Sequence, residues 1–207
     1  MSVVDRFETK QKVRFLRRRG AGKKEENAVA TMAKQATIVE EEADASPPIR
    51  IVEADLNLRA HQEAVLAMVD AYSRDAMGDG KPLDEDVRTR LIPGLRRHPT
   101  TLILLAFDGD QPVGAAVCFI GFSSFAAKPL INIHDFVVLS SSRGKGIGRL
   151  LLNAVEAKAR ELACCKVTLE VMDKNHQAVR MYQAAGFERY ALQEEAGAAI
   201  FMSKPLQ

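Results

Sequence analysis

Residues 135–148 read Asp135-Phe136-Val137-Val138-Leu139-Ser140-Ser141-Ser142-Arg143-Gly144-Lys145-Gly146-Ile147-Gly148. Five residues of strand character pass through a serine triplet into a glycine-rich loop. An amphipathic stretch follows over 146–162, with Ile147, Leu150, Leu151, Ala154, Val155 and Leu162 on one face at helical spacing. Strand, glycine loop and helix in that order make an anion cradle. Glycine lets the main chain approach a ligand closely, free N–H groups at a helix start point outward, and Arg143 and Lys145 add positive charge. A phosphate or pyrophosphate fits there. The spacing excludes two common phosphate loops, because neither G-x-x-x-x-G-K-[ST] nor G-x-G-x-x-G is present.

Upstream, 49–54 has the pattern of a short strand and 56–77 that of a helix, with Leu58, Val65, Leu66, Val69 and Tyr72 near helical spacing. A loop at 77–82 leads to a second helix over 83–95, which opens on Asp84, Glu85 and Asp86 and holds Pro93 near its end. Two apolar strands, 101–107 and 112–122, flank Asp108-Gly109, a hairpin signal because Asp-Gly adopts the positive φ of a tight turn. A third strand covers 130–139. Downstream of the glycine loop and its helix, 166–171 is a strand and 175–185 a helix, with Asn175 as N-cap and Gly186 as terminator. Two last strands are expected over 187–192 and 198–203. The order β-α-α-β-β-β-α-β-α-β-β is that of a mixed α/β domain with a central sheet flanked by helices.

The loop resembles the R-x-x-G-x-G pyrophosphate loop of the GNAT superfamily of N-acetyltransferases, here Arg143, Gly146 and Gly148. Asp135-Phe136-Val137-Val138-Leu139 is similar to that family's hydrophobic strand beside the pantetheine. Asn175 through Tyr182 to Gly186-Phe187 resembles its N-x-x-A-x-x-x-Y-x-x-x-G-F segment. The element order also matches a GNAT-like fold over 49–203. The resemblance implies acetyl-CoA as co-substrate, with direct transfer of its acetyl group to an amine and no metal.

Under that resemblance Gly144, Lys145, Gly146, Ile147 and Gly148 take the pyrophosphate with Arg143, and Asn175 takes part of the CoA arm. Phe136 and Val137 flank the pantetheine through their main chain, and a backbone N–H of the bulged strand near Val138 polarises the thioester carbonyl. Tyr182 matches the tyrosine placed at the departing sulfur, where a phenol donates a proton. An alkyl amine has a pKa of about 10, so the acceptor arrives protonated and needs a base. Glu170 is the first candidate: strand alternation sets Thr168 and Glu170 opposite Val167, Leu169 and Val171, and its distance from Tyr182 in sequence resembles that in ribosomal-protein N-terminal acetyltransferases. His134 and Asp135 are the rivals, either as base or as an orienting pair. Arg149 is expected on exposed helix surface, and Cys164 and Cys165 as small buried residues.

Composition bounds the rest. The 207 residues are 47% hydrophobic and 27% charged, enough for one sizeable core, and Gly114 and Gly121 interrupt the longest apolar run. A membrane-spanning helix, needing about 20 apolar residues, is not expected. Three cysteines make no disulfide framework, which favours a reducing, cytoplasmic setting and argues against structural zinc. The net charge of +2 hides an asymmetry: residues 1–24 hold nine basic and two acidic side chains, residues 25–48 one basic and six acidic. This segment lacks periodicity and ends in Ser46-Pro47-Pro48, so 1–48 is expected to be a disordered extension and 49–207 the acetyltransferase domain. Its basic start reads as a solvated tail, or as a weak nucleic-acid contact. Met32 offers a second start site, and a homodimer is left open. The acceptor is an amine on a small molecule, a protein N-terminus or a lysine. The competing reading is a non-catalytic acyl-CoA-binding module.

Overall fold

The computed structural model describes residues 48–190 and 199–206. Strand β1 (Arg50–Glu53) is followed by helices α1 (Arg59–Arg74) and α2 (Glu85–Arg97), then by strands β2 (Thr101–Asp108), β3 (Gln111–Ser123) and β4 (Lys128–Val138). A 3₁₀ turn at Ser140–Ser142 leads into α3 (Ile147–Glu161), a short strand β5 (Val167–Leu169) and α4 (His176–Ala184). The sheet runs β1-β2-β3-β4-β5 in space. The first four strands pair antiparallel, whereas β5 joins β4 in parallel, which α3 makes possible by carrying the chain back across the sheet.

Each face of the sheet has its own core. Leu102, Leu104, Ala106, Ala116, Cys118, Ile131 and Ile133 point toward α3 and α4, where Ile147, Leu151, Val155 and Tyr182 meet them. Ile103, Leu105, Phe107, Ala115, Val117 and Val137 point the other way, against Val65 and Met68 of α1 and Ile92 of α2. Residues of β2 alternate between these cores, which is why 102–107 is an unbroken apolar run: both of its faces are covered. The Asp-Gly hairpin forms as expected, with Gly109 at φ +57° in a two-residue loop.

Pro93 lies inside α2 and the helix runs four residues past it. At the C-terminal end the sequence expectation is corrected. Within the two strands expected over 187–192 and 198–203, the described residues 187–190 and 199–203 carry no strand, and 191–198 lie outside the described residues. The extension 1–47 also lies outside them. No helix among the described residues is long and apolar enough to cross a membrane.

Candidate active site

The glycine loop has the build expected of an anion site. Gly144 and Gly146 sit at φ +81° and +79°, and a Cβ at either would meet nothing within 4 Å, so glycine serves the backbone angle here and the space in front stays open. Gly146 is the N-cap of α3, has no side-chain cap bond, and no acidic residue occupies the first turn. The N–H groups that open a helix lack intrahelical partners, so those of α3 face outward beside the exposed Lys145. Ile147 contributes only its N–H, since its side chain is fully buried. Gly148 has a different reason. A Cβ there would lie 2.7 Å from Met181 Sδ, so its hydrogen admits α4 close against α3.

Beside the loop the sheet comes apart. The β4–β5 ladder covers only Ile131↔Val167 to Ile133↔Leu169, while β4 continues for five more residues. The separation starts at a bulge: Cys118 pairs with Ile133 and Val117 with Asp135, leaving His134 without a partner. The bulge therefore sits at His134, not near Val138. Beyond it, Leu139 N–H donates to the Val113 carbonyl at 3.0 Å, which sets the alternation of the antiparallel ladder. Val137 and Asp135 turn their main-chain groups toward β3, whereas Phe136 and Val138 turn theirs to the edge that β5 has left. The main-chain role expected of Val137 is thus corrected; its neighbours on either side hold the free edge.

Arg143 departs from the sequence reading as well. Its Nη2 donates to Asp75 Oδ2 at 2.5 Å and its Nε to the Val138 carbonyl at 3.1 Å. The guanidinium holds the Asp75 carboxyl below the usual carboxylate range. Asn175 is occupied too: its side-chain oxygen accepts the Ala178 N–H at 3.2 Å as the cap of α4. Arg149 is exposed on α3, as expected, and also donates to the Ala184 carbonyl at 2.8 Å, closing the far end of α4.

Tyr182 projects from α4 under the free edge, 8% exposed, with its ring edge-to-face on Phe136 and Phe187 at centroid distances of 5.9 and 5.7 Å. Burial pushes the phenol up to about 12, so it carries its proton throughout the physiological range.

On the opposite face lie the candidate bases. Asp135 follows the bulge on the side of α1, and burial raises its carboxyl while the adjacent His134 opposes that shift. Tyr72 of α1 faces it: burial raises the Tyr72 phenol first, and the Asp135 and Asp75 carboxylates raise it further. His134 is exposed and stacks edge-to-face on Phe119 at 5.5 Å, which His98 covers at 4.9 Å from the end of α2. Glu170 lies one residue beyond β5, exposed, where Asn132 Nδ2 donates to it at 3.4 Å and to Thr168 Oγ1 at 3.2 Å. Its expected place inside a strand is corrected, though Thr168 and Glu170 do share the face toward Asn132. Tyr72, Asp75 and Asn132 escaped the sequence reading, because each looks like an ordinary member of its helix or strand. No group of three His, Cys, Asp or Glu among the described residues is placed to hold a metal ion.

Residues 65–187, more than half of the chain, match the model of the Acetyltransferase (GNAT) family. The chain belongs to the GNAT family. The match runs from the middle of α1 to Phe187 and so contains the loop, the free strand edge and Tyr182. This GNAT chain is 31% identical over 113 residues to the streptothricin acetyltransferase of Streptomyces lavendulae, covering 51% of this chain and 57% of that protein. It is 25% identical over 138 residues to aminoglycoside N(6')-acetyltransferase type 1 of Klebsiella pneumoniae, covering 62% and 69%. The fold superposes on a crystal structure of an aminoglycoside N-acetyltransferase in complex with CoA with a TM-score of 0.57 at 18% identity, over 75% of this chain and 94% of that one. The chain thus spans only part of the length of the curated relatives it matches.

Proposed function

We propose that this GNAT domain transfers the acetyl group of acetyl-CoA directly to a primary amine. The observation that carries this reading is the free edge of β4: the main-chain groups of Phe136 and the N–H of Val138, left by β5, lie between an uncapped helix start and the buried ring of Tyr182. Those features fit acetyl-CoA. The N–H groups of 144–148 and Lys145 would hold the pyrophosphate, and the β4 edge the pantetheine arm. When bound, acetyl-CoA supplies an activated acetyl thioester.

The chain's own residues then have distinct tasks. Tyr182 keeps a proton on its phenol oxygen and is the general acid. The Val138 N–H faces the open edge, where it stabilises negative charge developing on a carbonyl oxygen. Asp135 is the base, because burial lifts its carboxyl toward the range in which a carboxylate accepts a proton from an amine. Glu170, exposed and held by Asn132, gives the incoming ammonium a second carboxylate. The acceptor is a small cationic amine. The curated relatives named above act, by name, on streptothricin and aminoglycosides, and Asp135 and Glu170 suit a positively charged group.

Incubation with acetyl-CoA and a panel holding an aminoglycoside, a polyamine, ornithine and a lysine peptide tests this by mass spectrometry. The expected result is one added acetyl group on a small amine. Acetylation of the peptide alone would overturn the acceptor class. Bound acetyl-CoA with no acetylated acceptor would favour the binding-module reading.

A further inference from the structure

One side chain ties together parts of this site that lie far apart in sequence. Asp75 is the C-cap of α1, and its second oxygen accepts the Met77 N–H at 2.9 Å. The segment beyond is fastened back to the same helix: Gly78 N–H donates to the Asp75 carbonyl at 2.9 Å, Ser73 Oγ to the Lys81 carbonyl at 2.8 Å, and Leu83 N–H to Asp70 Oδ1 at 3.0 Å. Nothing larger than glycine fits at 78, where a Cβ would stand 2.2 Å from the Tyr72 carbonyl oxygen. The last turn of α1 and its following loop are therefore one rigid piece. Arg143, at the head of the glycine loop, grips that piece through Asp75 and with Nε donates to the Val138 carbonyl on the edge that β5 has left. The Nε–Nη2 edge of the guanidinium, one of its bidentate faces, is filled by these two bonds.

We propose that Arg143 is a positioning residue, which couples the phosphate-binding loop to the α1 turn carrying Tyr72 instead of binding the pyrophosphate with its side chain. An anion bound by the main chain of 144–148 restrains the backbone beside Arg143. The restraint passes through the guanidinium to Asp75 and to the helix turn that faces Asp135. The acceptor side is thereby ordered by occupancy of the loop. This inference rests on the acetyl-CoA reading above.

The test uses CoA as probe on the full chain, combining titration calorimetry with amide hydrogen exchange of residues 70–83. In wild type, bound CoA slows exchange over 72–78. In Asp75→Asn, which keeps the Met77 cap but loses the charge, that protection disappears while CoA affinity changes by less than about threefold; Asp75→Glu restores it. Arg143→Lys, which keeps the charge but not the fork, loses the protection in the same way. The proposal is overturned if CoA binds wild type without slowing 72–78. It is equally overturned if Asp75→Asn tightens CoA while Arg143→Lys weakens it by more than about tenfold, the signature of a guanidinium on phosphate. A wild-type chain that binds no CoA would instead sink the functional reading, and the coupling with it.

Discussion

Burial holds the Asp135 carboxyl above its ordinary range, so the folded chain binds this proton more tightly than the unfolded chain does. The stability contribution is then greatest at low pH and declines as pH rises from the ordinary carboxylate range, about 4, toward the raised folded value. At neutral pH the ionised carboxylate is a cost to folding. Asp135→Asn is expected to raise Tm, by about 2–4 °C for each kcal/mol recovered, while kcat falls at least about tenfold. A lower Tm with activity intact would contradict both the burial argument and the assignment of the base. Tyr182 was legible from the sequence because its spacing from Asn175 and Gly186-Phe187 is local. Asp75 and Arg143 were not: they stand 68 positions apart, and no periodicity within either segment announces that they meet. Tyr72 was visible as part of an apolar helix stripe, a pattern that shows it turned inward without showing which carboxylates it would find there.

The nine elements from β1 to α4 follow the sequence reading to within a few residues, because long apolar runs and amphipathic stripes are local signals. In proportion to its length the largest discrepancy among them is β5, read as six residues and observed as three. Strand pairing depends on the partner, and the His134 bulge turns β4 away so that Glu170 has nothing to pair with. The two strands expected after Gly186 rested on short apolar runs alone, the weakest form of strand signal, and the described residues there do not pair. Within the glycine loop the three glycines separate by function. Gly146→Ala places a side chain at φ +79°, at a cost of roughly 1 kcal/mol, and puts a methyl into the open space before the α3 N–H groups. The expected outcome is a Tm about 2–4 °C lower and CoA affinity weaker by about fivefold or more. Gly148→Ala displaces only the flexible Met181 side chain and should leave CoA affinity nearly intact. Equal losses of affinity in the two variants, measured by calorimetry, would contradict the division of roles.

At the scale of the whole chain, the first strand among the described residues begins at Arg50, two residues after Pro48, and we propose the domain boundary there. A chain beginning at Ser46 is expected to melt cooperatively with a Tm within about 2 °C of the full chain and with unchanged kcat, since a charged extension of low hydropathy adds little buried area. Aggregation or loss of the cooperative transition would show that residues 1–45 belong to the folded unit. The same truncation reads the basic tail: salt-dependent retention on RNA or DNA that survives it unchanged would exclude residues 1–45 as the nucleic-acid contact. Whether the domain is an enzyme or a binding module turns on a split between binding and turnover in one variant. For Tyr182→Phe, the measurement is kcat by CoA-thiol release together with the acetyl-CoA Kd by calorimetry. The expected result is a kcat at least about tenfold lower with Kd within about twofold of wild type, because the lost hydroxyl acts on the departing sulfur and not on the bound arm. Turnover that survives undiminished, or a Kd that weakens in step with kcat, would contradict it.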